Sequence, residues 1–174
     1  TDVYSAALGY GWDAALTGTG SQGAFNRSGV TGGQAALRQD GHFSNAAHTF
    51  SVDVEDGTYW VNVTTGDATF ARDRLTVEAE GLPVATNVST VAGQWRHLGF
   101  PVTVSDRQLS VRFSDLGGDA YWSINGIELW KHYPNDITFS AVVTSEPADG
   151  STVDTIQGSG MPSNMLVTVT STLG

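Results

Sequence analysis

From residue 49 to residue 130 the chain repeatedly alternates apolar with polar side chains. Phe50, Val52 and Val54 are interleaved with Ser51, Asp53 and Glu55. That period of two puts apolar groups on one face of a β-strand and polar groups on the other. The run stops at Glu55-Asp56-Gly57, a turn tripeptide, and restarts over residues 59–65, which predicts a β-hairpin. Further strand-like runs cover residues 74–79, 84–88, 94–104, 108–114 and 124–130. Strands recurring every 8 to 12 residues or so, with turn clusters between them, predict an all-β antiparallel β-sandwich and argue against βαβ units.

The first 48 residues read differently. Gly, Ser and Ala dominate residues 17–33, which fits a long loop over the sandwich better than a strand, and loops of that length are often functional. Residues 132–136 contain Pro134 and read as a linker. Beyond it, strands are predicted at 137–143 and 165–170 with a turn cluster at 145–151. These 38 or so residues are too few for a second sandwich, so the expected organisation is a domain at 1–131, a linker and a partial β tail at 137–174. Thr1 opens directly into domain-like sequence, as in a mature or excised piece.

Composition narrows the function. The chain is 15% charged, against about 25% in an average soluble domain. Its 21 Gly and many β-branched residues leave little material for helices. Eighteen acidic against eight basic residues give a formal charge of −10, which repels nucleic-acid phosphates and anionic membranes. No nucleic-acid partner and no membrane insertion are expected, since no apolar run approaches ~18 residues. The absence of cysteine removes disulfides and thiolate metal sites.

A sugar offers hydroxyls around a ring and an apolar face of C–H bonds. A site for it needs flat aromatic platforms beside short polar groups. Tyr10, Trp12, Phe43, Phe70, Tyr121 and Trp122 fall at or near predicted strand ends, and Arg38, Asp40, Asp67, Arg72, Asp73 and Asp119 stand among them. Trp12 and Phe70 read equally as platforms or as rings packed beneath the long loop. Tyr59, Trp60 and Trp130 read as core or interdomain residues. Asp67 follows Gly66 at a strand end, where a carboxylate either caps turn amides or accepts sugar hydroxyls, with capping favoured. Arg72-Asp73-Arg74 reads mainly as a solvated charge run. Asn26-Arg27-Ser28 matches the N-glycosylation triplet, a pattern common by chance in a Ser- and Thr-rich chain.

Several segments in order resemble the malectin-like domains of bacterial polysaccharide-active and adhesive proteins, relatives of jelly-roll, galactose-binding-like carbohydrate-binding modules. They are Tyr10-Gly11-Trp12, Leu37-Arg38 with Asp40-Gly41, Val52-Asp53-Val54 with Gly57-Thr58-Tyr59, Thr65-Gly66-Asp67-Ala68 with Asp73, Leu116-Gly117-Gly118, and Ile124 to Leu129. The resemblance implies a sugar on loops at one end of the sandwich, held by aromatic rings and a carboxylate. By position Tyr10 takes the first ring, His42 or Phe43 the second, Phe70 the third, and Asp119 the carboxylate. Such domains open with a strand well before the Tyr-Gly-Trp segment, so an open sheet edge is expected, with self-association or a complementing N-terminal strand as its consequence. Pro147 to Ser151 resembles a turn of bacterial immunoglobulin-like repeats.

Catalytic signatures are lacking. His42, His48, His97 and His132 form no metal-binding helix motif, and there is no Gly-x-Ser-x-Gly elbow or phosphate-binding glycine loop. No cofactor is expected beyond a structural calcium, for which Asp53, Glu55 and Asp56 are candidate ligands. The expected function is a non-catalytic module of a larger extracellular protein, binding a polysaccharide or oligosaccharide. The alternative is a structural or adhesive spacer without a ligand of its own.

Overall fold

A computed structural model describes residues 2–16, 22–132, 138–141 and 156–159. The chain divides into two compact units, Thr1–His132 and Tyr133–Gly174. In the first, the elements run β1 (Tyr10–Trp12), β2 (Gln22–Asn26), α1 (Ala35–Gln39), β3 (Asp40–Ser44), β4 (His48–Asp53), β5 (Gly57–Asp67), β6 (Arg72–Ala79), β7 (Leu82–Thr90), β8 (Gln94–Val104), β9 (Gln108–Asp115), β10 (Trp122–Ile124) and β11 (Gly126–His132). The strands form antiparallel sheets in the orders β1-β4-β9-β6-β7, β11-β5-β8 and β10-β3-β2. The chain is an all-β antiparallel sandwich, and α1, at five residues, is the one helix among those described.

Period-two patterning builds the core. Tyr59, Val61 and Val63 of β5 and Phe100, Val102 and Val104 of β8 face Leu75, Val77 and Ala79 of β6 and Leu109, Val111 and Phe113 of β9, all buried. One end is filled by rings. Trp12 stacks on Trp122 at 5.7 Å between centroids, and both lie within 5.8 Å of Phe113. Such pairs add about 0.5–1.5 kcal/mol each beyond the area they bury.

The hairpin expected from residues 50–54 and 59–65 does not form. β4 pairs with β1 and β9, whereas β5 pairs with β8 and β11 in a different sheet. Residues 54–56 are a crossover between layers, tied to the equivalent crossover between β8 and β9. Val54 N donates to Arg107 O at 3.0 Å, and Arg107 N donates to Asp56 Oδ1 at 2.9 Å. Alternation states which side of a strand is apolar but not which strand lies beside it. Two amphipathic strands bury their apolar faces equally well by facing each other across the core.

The glycine-rich opening is also not wholly loop. β2 falls within residues 17–33 and pairs with β3 through Gln22↔Ser44 to Asn26↔Asp40. The β1 edge of the five-stranded sheet is met by the chain's own residues. Tyr4 N donates to Trp12 O at 2.8 Å and Trp12 N to Asp2 O at 2.9 Å, so that edge is not open at Trp12 as expected. In the second unit, β12 (Thr138–Ala141) pairs with β13 (Ile156–Ser159). The former lies within the strand expected at 137–143 and the latter was not expected. The strand expected at 165–170 and the turn at 147–151 lie outside the described residues.

Candidate functional site

At the end of the sandwich where β5 finishes and β6 begins, a cup of about 420 Å³ is lined by Arg27, Phe43, Phe70, Arg72, Asp119 and Tyr121. Its floor is organised by Asp67. Gly66 lets β5 approach β8 closely here, at φ +152°, where an added Cβ would collide with Gln94 O. The chain then turns outward, and Asp67 Oδ1 accepts the backbone N–H groups of Thr69 at 2.8 Å and Phe70 at 3.3 Å. This Asx-type turn lifts the Phe70 ring to the surface, where it is 50% exposed.

The Asp67 carboxylate is itself buried and carries two guanidiniums. Arg27 donates from Nε to Oδ1 and from Nη2 to Oδ2, both at 2.9 Å, and Arg72 Nη2 donates to Oδ2 at 3.3 Å. Burial works against ionisation of Asp67. The hydrogen bonds from Arg27, Thr69 N and Phe70 N outweigh it and hold its pKa below the ordinary carboxylate value. The same hydrogen bond raises the pKa of Arg27.

The guanidiniums in turn fix the rings. Arg27 lies 4.9 Å from the Phe25 centroid and 5.2 Å from that of Phe70, while Arg72 lies 5.3 Å from Phe70 and 5.8 Å from Tyr121. Phe43 and Tyr121 complete the wall with centroids 6.1 Å apart. On the rim, Asp119 Oδ2 accepts from Arg72 Nη1 at 3.3 Å, and its Oδ1 accepts the Tyr121 N–H at 3.0 Å. The formal charges of Arg27 and Arg72 are balanced by Asp67 and Asp119. Arg72 keeps one further buried donor, Nε, without an acceptor.

Of the residues singled out in the sequence, Phe43, Phe70, Arg72, Asp119 and Tyr121 come together in this cup. Asp67 supports it from beneath and is not open to a ligand. Trp12 is 4% exposed and Trp122 fully buried, so both are core rings and not platforms; Trp122 Nε1 donates to Ala46 O. Tyr10 sits on β1 with its ring 6.4 Å from Phe50. His42 neighbours Phe43 in sequence but points to the opposite face of β3, where its ring lies 5.6 Å from Trp12 and burial lowers its pKa. Asp40, Gly41 and His42 line a separate hollow with Asn125, and Arg38 on α1 packs over Trp95 at 5.6 Å.

Arg27 was not singled out for a site, and Arg72 belongs to no solvated run, since it is buried. Arg27, which follows the glycine-rich stretch, has no local signal, whereas Arg72 stands among the polar groups near the rings but within a mixed charge run. Their roles come from a partner 40 positions away in one case and five in the other.

The calcium candidates each accept hydrogen bonds from protein groups. Asp53 accepts from Tyr4 and Gln108, Glu55 from Lys131, and Asp56 from Arg107 N. Among the described residues, the group that brings one carboxylate oxygen each within 4.8 Å is Asp73, Asp115 and Asp119, on the loop side of the cup. Burial there raises the pKa of Asp115, helped by the charges of Asp119 and Asp73 and opposed by the Gly117 N–H.

No family model matches the chain. It is 38% identical over 113 residues to beta-agarase A of Zobellia galactanivorans, a match that takes in 65% of this chain. The chain spans about a fifth, 21%, of that protein's length. Among solved structures, a calcium-binding mutant of Bacteroides uniformis beta-glucuronidase 2 superposes with a TM-score of 0.56 at 16% identity, over 76% of this chain and 15% of that one. The ANX1 ectodomain from Arabidopsis thaliana superposes with a TM-score of 0.53 at 11% identity, over 67% and 40% respectively. At these identities the likeness is one of fold.

Proposed function

We propose that this chain is a non-catalytic carbohydrate-binding module of a larger extracellular protein, and that it holds a polysaccharide segment in the cup lined by Phe43, Phe70 and Tyr121. The observation that carries the reading is the construction of that cup. Three rings stand at a loop end of the sandwich, and two of them, Phe70 and Tyr121, pack on guanidiniums whose own charges are met by Asp67 and Asp119. Rings supply the platform for C–H faces, and Asp119 with the guanidinium N–H groups supplies acceptors and donors for hydroxyls. Charge balance within the cup favours an uncharged sugar, since a carboxylated or sulfated one would have to compete with Asp67 and Asp119 for the same cations.

A binding role is supported over hydrolysis by the count of available carboxylates. Glycosidases need two, roughly 5 to 9.5 Å apart and both able to reach the bond. Here Asp119 lines the cup, Asp67 is buried in ion pairs beneath it, and Asp73 and Asp115, with oxygens within 4.8 Å of Asp119's, do not line it. The likeness to part of beta-agarase A makes an uncharged galactan the first ligand to try. Affinity electrophoresis through agarose and through xylan, with Phe70→Ala and Tyr121→Ala beside the parent chain, tests the proposal. Retardation of the parent that both variants weaken is expected. A parent chain retarded by no polysaccharide would refute it.

A further inference from the structure

The outer face of the β11-β5-β8 sheet presents two tryptophans that the core does not need. Tyr59, Val61 and Val63 of β5 point inward and are buried, so Trp60 between them points out. The antiparallel register sets Trp60 directly opposite Trp130 of β11 on one side and Pro101 of β8 on the other, one row across all three strands. Trp60 and Trp130 remain 47% and 52% exposed. The Trp60 indole bends toward β8, and its ring atoms lie 3.0–3.4 Å from where a Cβ on Gly99 would stand. Glycine at 99 thus lets the ring lie along the sheet.

The neighbouring rows are polar and mutually bonded. In the next row Asn62 Nδ2 donates to Glu128 Oε2 at 2.9 Å, and one row further the buried Thr64 Oγ1 meets His97 Nδ1 at 3.0 Å. Each pair keeps capacity for a ligand: Oδ1 of Asn62 and the second carboxylate oxygen of Glu128 accept hydroxyls, and His97 Nε2 serves as donor or acceptor according to tautomer. An aromatic row beside a hydroxyl-bonding row is what the edge and face of a sugar chain require.

We infer that this face is a second binding surface, for an extended uncharged polysaccharide chain lying across Trp60 and Trp130. The inference rests on the reading of the chain as a carbohydrate-binding module. A second copy of the chain fits poorly. The two half-exposed indoles offer roughly 250 Å² between them, well short of the ~800 Å² per partner of a stable protein interface. Two chains of charge −10 also repel. Among the described residues Glu128 is paired with no cation, so an anionic polysaccharide meets the same repulsion. Along β5, Trp60 lies seven residues from Asp67, roughly 23 Å at strand rise, so the face is separate from the cup. Two sites on one module raise retention on long polymers beyond the affinity of either.

The test uses the full chain in four forms: parent, Trp60→Ala with Trp130→Ala, Phe70→Ala with Tyr121→Ala, and the single Trp130→Ala on edge strand β11 in case the double tryptophan variant loses its cooperative melt. Retention on agarose and on carrageenan, a sulfated polymer, is measured by affinity electrophoresis, with indole fluorescence read during titration with soluble agarose oligosaccharides. Expected are a tenfold or greater loss of agarose affinity in the tryptophan variants, no preference for carrageenan, and an indole emission shift that persists in the Phe70/Tyr121 variant. Retention lost only in the Phe70/Tyr121 variant overturns this inference and leaves the proposed function standing. Retention lost only in the tryptophan variants supports it and relocates the function away from the cup. A dimer that the tryptophan substitutions abolish, stronger retention on carrageenan, or no retention of any form overturns it.

Discussion

Arg27 and Asp67 meet in a two-pronged ion pair, Nε to Oδ1 and Nη2 to Oδ2, both at 2.9 Å, across 40 residues of sequence. The carboxylate is buried and also receives Arg72, so one aspartate holds together the end of β5, the start of β6 and the segment after β2. Removing it leaves Arg27 without its carboxylate and Arg72 with Asp119 alone. Asp67→Ala is expected to destabilise the fold by about 3–5 kcal/mol, seen as a melting temperature lower by roughly 10 °C or more. An unchanged melt would mean that the guanidiniums are satisfied elsewhere.

The same carboxylate sets an acid limit. Its folded pKa lies below the ordinary value, so its contribution is fully present above the unfolded pKa, about 3.9, and is lost as pH falls through the folded value. Urea midpoints measured from pH 6 down to pH 2.5 should fall more steeply below pH 4 in the parent than in Asp67→Asn. Parallel curves would contradict this.

Phe70 separates binding from stability. Its ring is half exposed and packs on two guanidiniums, so Phe70→Ala is expected to weaken polysaccharide binding about tenfold, or ~1.4 kcal/mol, with a melting temperature within a few degrees of the parent. Isothermal titration with a calorimetric melt on the same samples checks both halves.

Trp12 and Trp122 behave in the opposite sense. Both are core rings stacked on each other, and truncating either to alanine is expected to cost about 3–5 kcal/mol. Binding per folded molecule should stay the same, which titration corrected for the folded fraction would show. A specific loss of affinity with normal stability would return these rings to the site.

Gly66→Ala tests the close approach that positions Asp67. The added Cβ meets Gln94 O in a backbone conformation that non-glycine residues rarely adopt. A loss of about 1–3 kcal/mol accompanied by weaker binding is expected, because the turn carrying Phe70 is displaced with it. Urea denaturation beside affinity electrophoresis reads both.

Much of the sandwich could be read from the chain. The run at Gln94–Val104 matches β8 end to end, and 74–79 and 108–114 lie within β6 and β9. Phe43, Phe70, Asp119 and Tyr121 were also legible, as rings and a carboxylate near strand ends. What was not legible depended on orientation. His42 and Phe43 are adjacent, and a strand's period of two sends one to Trp12 and the other to the cup. Trp60 is flanked by buried Tyr59 and Val61 and reads from the sequence as a core or interdomain residue, yet it is outward by the same rule.

The sequence by itself determined the class of fold and the faces of its strands, because side-chain period and turn chemistry are local properties. Only the tertiary structure decided that β4 and β5 lie in opposite layers, that Trp12 is core, and that Asp67 gathers Arg27 and Arg72 beneath the rings. These are choices of partner between distant segments, settled by which pairing buries apolar faces and neutralises charges at once, and no local pattern carries them.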